Sequence, residues 1–107
     1  MARVIKREAA KRDLIQQWVW YADKATFEIA DRFLLAAETT LANLANHPNT
    51  GQAVVSRRPE LQGMRRVPVG DGFERILLFY LPLPDGVDLV RVLHGSQHLA
   101  GILDLGS

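Results

Sequence analysis

Along this chain the spacing of apolar residues changes once, near Gly51. Before that point the period is helical. In residues 8–25, EAAKRDLIQQWVWYADKA, the side chains Leu14, Trp18, Tyr21, Ala22 and Ala25 recur at helical spacing. Glu8 and Asp13 lie early and Lys24 late, as the helix dipole favours. Residues 26–48, TFEIADRFLLAAETTLANLANHP, repeat the period through Phe27, Ala30, Leu34, Ala37, Leu41 and Leu44, with Phe33 and Ala45 widening the stripe. Pro48 cannot continue a helix and disfavours helical geometry at His47, so the second helix ends there and HPNTG is a turn. Two helices joined by so few residues, each with one apolar stripe, predict an antiparallel hairpin.

After the change the period is that of strands. LQGMRRVPV alternates loosely, FERILLFYLPL is a longer apolar run and VDLVRVLH alternates again, separated by the turn signals GDG and PLPDG. The middle run, apolar on both faces, is the expected central strand. Pro68 cannot donate to a ladder and marks its strand as an edge or a bulge. A short β-prone run, RVIK, precedes the first helix. The prediction is an α+β fold ordered β-α-α-β-β-β, a helical hairpin on one face of a small, mainly antiparallel sheet, with residues 1–107 as one domain. The apolar residues of SQHLAGILDLGS predict that this last stretch docks on something, its own core or another chain.

Composition narrows the function classes. At 107 residues, 48% hydrophobic and 23% charged, the chain fills one modest core, and 13 basic against 12 acidic residues leave a net charge of +1. No overall field draws it to nucleic acid or an anionic membrane, so any basic site must be local. Having no cysteine removes thiolate catalysis and cysteine-based zinc sites. No apolar run nears the ~20 residues that cross a bilayer, and MARVIKREAAKRD lacks the apolar region of a leader, so a cytoplasmic protein is expected.

The candidate chemistry is thin. His94 and His98 have the i, i+4 spacing of metal ligands only if helical, and no third ligand stands near, so no metal site is expected. No serine lies in a nucleophile-elbow pattern and no glycine loop cradles phosphate, so neither a catalytic residue nor a cofactor is assigned. Arg57, Arg58, Arg65, Arg66, Arg75 and Arg91 would converge into a positive patch in a meander, or else be ordinary solvated side chains. Alternation puts Val87, Leu89, Arg91 and Leu93 on one face and Val90, Val92 and His94 on the other. Arg91 among apolar neighbours then pairs with an acid, Glu74 or Asp88, or points into a cleft. Trp20 is rotated about 100° per residue from the stripe of Trp18 and Tyr21, which leaves it half exposed or covered by a partner.

EAAKRDLIQQWVWYA, LANHPNTGQ, LQGMRRVPV, FERILLFY and above all RVLHGSQH, in this order over nearly the whole chain, resemble the ParE branch of the RelE/ParE toxin superfamily. The resemblance implies a helical hairpin on a twisted sheet and the toxin half of a type II toxin-antitoxin module, a plasmid-stabilization system. It further implies inhibition of DNA gyrase and neutralisation by a small ParD-like antitoxin, with room for a hetero-oligomer of the two. The ribosome-dependent mRNA endoribonucleases of the RelE branch are the alternative. Where that branch has an arginine past the last-strand glycine this chain has Gln97, where it has a later tyrosine the nearest residue is Leu103, and Arg65 and Arg66 at best replace its lysines. A binding-type toxin is therefore expected, without sequence-specific contact to nucleic acid. Arg65, Arg66, Arg91, His94 and His98 are its candidate target-facing residues, and Trp20 and Phe27 its candidate antitoxin-facing residues.

Overall fold

The computed structural model describes residues 2–106. Strand β1 (Arg3–Lys6) leads into helices α1 (Glu8–Lys24) and α2 (Phe27–Asn46). Then follow β2 (Gln52–Ala53), a 3-10 turn at Pro59–Leu61, β3 (Arg65–Pro68), β4 (Ile76–Leu83), β5 (Gly86–His94) and α3 (Leu99–Leu103). One sheet runs β1-β5-β4-β3-β2, with β1 parallel to β5 and the other neighbours antiparallel. The predicted order is present, with β2, the 3-10 turn and α3 as additions too short to show a period.

Local chemistry sets the boundaries. The Thr26 hydroxyl accepts the Ile29 N–H at 3.1 Å and starts α2, while His47 closes it directly before Pro48. This start makes Phe27 the first helical residue, and it stands 69% exposed rather than in the buried stripe where the period placed it. In β3 the Val69 N–H beyond the strand bonds the Ile76 carbonyl of β4, so the nitrogen of Pro68 faces the other way. There β2 has already ended, pairing only with Arg65 and Arg66, so the missing donor costs no ladder bond.

Both faces of the sheet are covered. On the helix side, Ala10 and Leu14 of α1 and Phe33, Ala37 and Leu41 of α2 bury Ile76, Leu78, Tyr80, Val87, Leu89 and Val92. Tyr21, Phe33 and Phe73 pack there with ring centroids 5.3–5.7 Å apart. On the other side, Leu61, Met64 and Leu103 bury Phe79, Val90 and Leu93, flanked by Leu99, Ile102 and Leu105. The C-terminal stretch thus docks on its own sheet. The central position of β4, with apolar side chains demanded on both faces, is why its run does not alternate.

Two close approaches fix how the layers meet. Gly86 lies against β1, where a Cβ would overlap the Arg3 carbonyl. The Tyr80 hydroxyl donates to the Pro48 carbonyl at 2.7 Å and accepts the Gly51 N–H at 2.9 Å, tying the end of α2 to β4. A Cβ on Gly51 would stand 2.5 Å from that hydroxyl.

The register of β4 and β5 slips between Phe79, which faces Arg91, and Tyr80, which faces Leu89, so Val90 is an extra residue. This bulge overturns strict alternation: Val87, Leu89 and Val92 share the helix side, whereas Val90 and Leu93 take the other. It also swings the Val92 N–H toward the side where β1 has ended. Asp13 of α1 takes it at 2.9 Å, and the same carboxylate holds Arg91 through Nε at 2.7 Å and Nη2 at 3.0 Å. The partner of Arg91 is therefore Asp13, not Glu74 or Asp88; Asp88 instead pairs with Arg7 at 3.0 Å. The bound carboxylate holds the Arg91 guanidinium above the ordinary arginine range, against the opposing effect of partial burial.

Removing this carboxylate leaves Arg91 and a backbone donor unpaired. Asp13→Ala should lower stability by about 3 kcal/mol, and Asp13→Asn, which keeps an acceptor for Val92, by about half as much. Urea unfolding of both variants checks the order; equal losses would show that the charge is irrelevant. Burial also pushes the Tyr80 and Tyr21 phenols up from the ordinary tyrosine range. The unfolded chain then releases these protons first, so stability should fall as pH rises above about 10. Tyr80→Phe should cost about 1 kcal/mol at neutral pH and flatten that alkaline fall, leaving the share due to Tyr21. Urea midpoints measured across the alkaline range check it.

Candidate functional site

The parallel partner of β5 stops at Lys6, and beyond it α1 passes beside the strand's last residues. A cleft of about 400 Å³ lies between them. Its helical wall is Asp13, Gln16, Gln17 and Trp20, spaced i, i+3, i+4 and i+7, and its strand wall is Val92 and His94, continued by Ser96 and Gln97. Of this wall only Trp20 stands out in the sequence as a site candidate; Asp13, Gln16 and Gln17 do not, although their spacing makes a polar stripe beside the apolar one.

The turn after β5 is bonded to itself. The His94 N–H donates to Gln97 Oε1 at 2.7 Å and the Gln97 N–H returns to the His94 carbonyl at 3.0 Å. The Ser96 N–H donates to His94 Nδ1 at 3.0 Å, with the Ser96 hydroxyl 2.7 Å from the same atom. With Nδ1 engaged as an acceptor, a neutral His94 carries its proton on Nε2. That N–H, the Gln97 amide nitrogen and the amides of Gln16 and Gln17 make the cleft a hydrogen-bonding surface. Its charged member, Asp13, is already matched by Arg91.

Trp20 closes one end of the cleft, 53% exposed in the single chain and set edge-on to Tyr21 at 5.2 Å, off the apolar stripe as helical spacing expects. Phe27 stacks on Trp18 at 5.8 Å across the bend of the hairpin, and the Trp18 indole N–H donates to Asp31 at 3.0 Å. With Ile15 and Val19 also exposed, the outer side of the hairpin carries apolar surface from mid-α1 to its bend.

The arginines do not gather. Arg91 is bound by Asp13, and Arg65 donates to the Gly51 carbonyl at 2.6 Å. Arg58 donates to the Ile102 carbonyl at 2.9 Å, and Arg57 lies 3.8 Å from Asp104. Arg66 reaches only Gln52, at 3.3 Å. Arg65 and Arg66 also point to opposite faces of β3, two strands from β5, so no single positive patch forms. His98 is exposed ahead of α3 with its ring over Gly101, on a different element from His94. Among the described residues no group of three metal-ligating side chains forms.

A family model described as "ParE toxin of type II toxin-antitoxin system, parDE" matches residues 4–99. No curated protein matches this chain. Among solved structures, the chain is similar to one from the "Chromosomal ParDE TA system from P. aeruginosa", with a TM-score of 0.68 and 16% identity over 88% of this chain and 96% of that one. At that identity the likeness speaks to the fold, and its coverage spans helices and sheet alike. The family match extends from β1 to the start of α3, through the cleft and the RVLHGSQH turn, and this chain accordingly belongs to the ParE toxin family of type II toxin-antitoxin systems.

Proposed function

We propose that this ParE-type toxin is a cytoplasmic, one-domain protein that inhibits DNA gyrase by binding it, and that a ParD-like antitoxin neutralises it. The observation that carries this reading is the use made of the positions where the RelE-like ribonucleases place an arginine and a tyrosine. Gln97 spends its side-chain oxygen on the His94 N–H, and Leu103 is buried in the second core. Arg91 is locked to Asp13. Stabilising the charge of a phosphoryl transition state needs cations aimed at it, whereas this surface offers neutral donors and a fixed shape. Such a surface suits recognition of a protein. His94 and His98, at the exit of β5, are the residues proposed to face gyrase, with Arg91 holding that strand and with Arg65 and Arg66 contributing separately from the two faces of β3. No helix among the described residues is long and apolar enough to cross a membrane, which agrees with this placement.

The antitoxin is proposed to cover the hairpin, where Trp20 and Phe27 stand exposed beside Ile15 and Val19. Burying such aromatics supplies most of the energy of many interfaces. The result is a hetero-oligomer of toxin and antitoxin.

Purified protein mixed with gyrase and plasmid should block supercoiling and accumulate linear plasmid. Arg66→Ala combined with His94→Ala should weaken that effect about tenfold. Discrete cuts within the codons of cellular mRNA, seen by primer extension with plasmid left intact, would overturn the gyrase reading in favour of a ribonuclease. Trp20→Ala and Phe27→Ala should each weaken antitoxin binding by about 1 to 3 kcal/mol in calorimetry. Unchanged affinity would remove that residue from the interface.

A further inference from the structure

Strand β1 pairs with β5 alone among the described residues, so one of its sides faces outward. In a parallel pair, alternate residues direct both backbone groups to the neighbour. The Arg3 N–H bonds the Asp85 carbonyl at 2.7 Å and the Arg7 N–H bonds the Leu89 carbonyl at 3.1 Å. Arg3, Ile5 and Arg7 therefore face β5, while Val4 and Lys6 turn their N–H and C=O groups outward. Val4 and Ile5 are also 38% and 39% exposed, although their side chains lie on opposite faces of the sheet.

Natural edges are commonly blunted by charged side chains. Here the charge is cancelled within the chain: Arg3 pairs with Asp85 at 3.2 Å, Lys6 with Glu38 at 2.5 Å and Arg7 with Asp88 at 3.0 Å. We propose that this edge is an interface with a second copy of the chain, the two β1 strands pairing antiparallel about a twofold axis at Ile5. That register sets Val4 opposite the partner's Lys6 and Lys6 opposite the partner's Val4. Each pair exchanges both of its hydrogen bonds, which uses the outward groups of β1. Ile5 meets the partner's Ile5 in the closer, non-hydrogen-bonded type of pair, with Cα atoms about 4.5 Å apart. Arg3 meets the partner's Arg7, each beside its own carboxylate, so neither faces a bare cation. A strand of another protein would also find backbone partners, but self-pairing is what places apolar Ile5 on itself and neutral ion pairs on one another. The result is a continuous sheet through both copies, a twofold arrangement common among homodimers. Phe27 at the hairpin bend lies a full α1 length, about 25 Å, from the end of β1, and Trp20 lies in the second half of α1, so both antitoxin-facing aromatics stay clear of the paired edge.

The chain has no cysteine, which makes the test specific. Under mild oxidation Ile5→Cys should form a disulfide-linked dimer, whereas Arg3→Cys and Arg7→Cys should each stay unlinked alone and link when mixed. Light scattering should show the unmodified chain doubling in mass as concentration rises. Val4→Pro, which removes an outward donor and none that bonds β5, should stay monomeric with an unchanged circular dichroism spectrum. A mass that stays at one chain up to millimolar concentration would overturn the proposal, as would Ile5→Cys remaining a free thiol or linking no faster than Arg3→Cys.

Discussion

The Asp13 carboxylate holds Nε and Nη2 of Arg91 and the backbone N–H of Val92 at once, and the geometry around β5 depends on it. Strand β5 has β4 along one side, but on the other its partner ends at Lys6. From there a side chain replaces a strand. Because the acceptor is charged and only 9% exposed, the bonds are of the stronger, charge-assisted kind, and losing it would strand a donor that cannot reach water freely. The clamp also sets how α1 lies against the strand, and so the position of Gln16, Gln17 and Trp20 across from His94. The cleft is a consequence of that placement.

A second constraint is that β4 and β5 are buried on both faces. A sheet with only the helical hairpin would leave Phe79, Val90 and Leu93 in water. The short segments from Leu61 to Met64 and from Leu99 to Leu105 cover them. Ser56 secures this lid, its hydroxyl donating to the Leu103 carbonyl at 2.8 Å and accepting the Arg58 N–H at 3.1 Å. A buried hydroxyl satisfied in both roles joins the two pieces of the lid without a long element.

The helices were legible because their stripes are long and end at chemical stops, Thr26 and Pro48, and the β4–β5 hairpin because PLPDG is an unambiguous turn. What escaped is tertiary. Nothing in VDLVRVLH marks Val90 as a bulge, so the faces after it could not be assigned. The acid nearest Arg91 in sequence lost to one 78 residues away, brought there by the entry of α1 beside the strand. That Trp20 leaves the apolar stripe followed from helical geometry alone, but its place in a cleft with His94 required knowing which helix passes the end of β5. Of the two readings of the arginines, the convergent patch is the one that does not form, because most of them bind backbone or acids nearby, a matter of local fit that composition does not carry.

Strand β1 pairs with β5 through Arg3 and Gly86, so the first strand of the chain closes against the last strand of the sheet. Its partner strand, and Arg91 for Asp13, are made only after the intervening hairpin and most of the meander. Contacts of such sequence separation are slow to form and the last to be secured as a chain leaves the ribosome. The cleft between α1 and β5 is thus absent from every partial product of synthesis that lacks the end of β5, although the helix forming its other wall is among the first segments made.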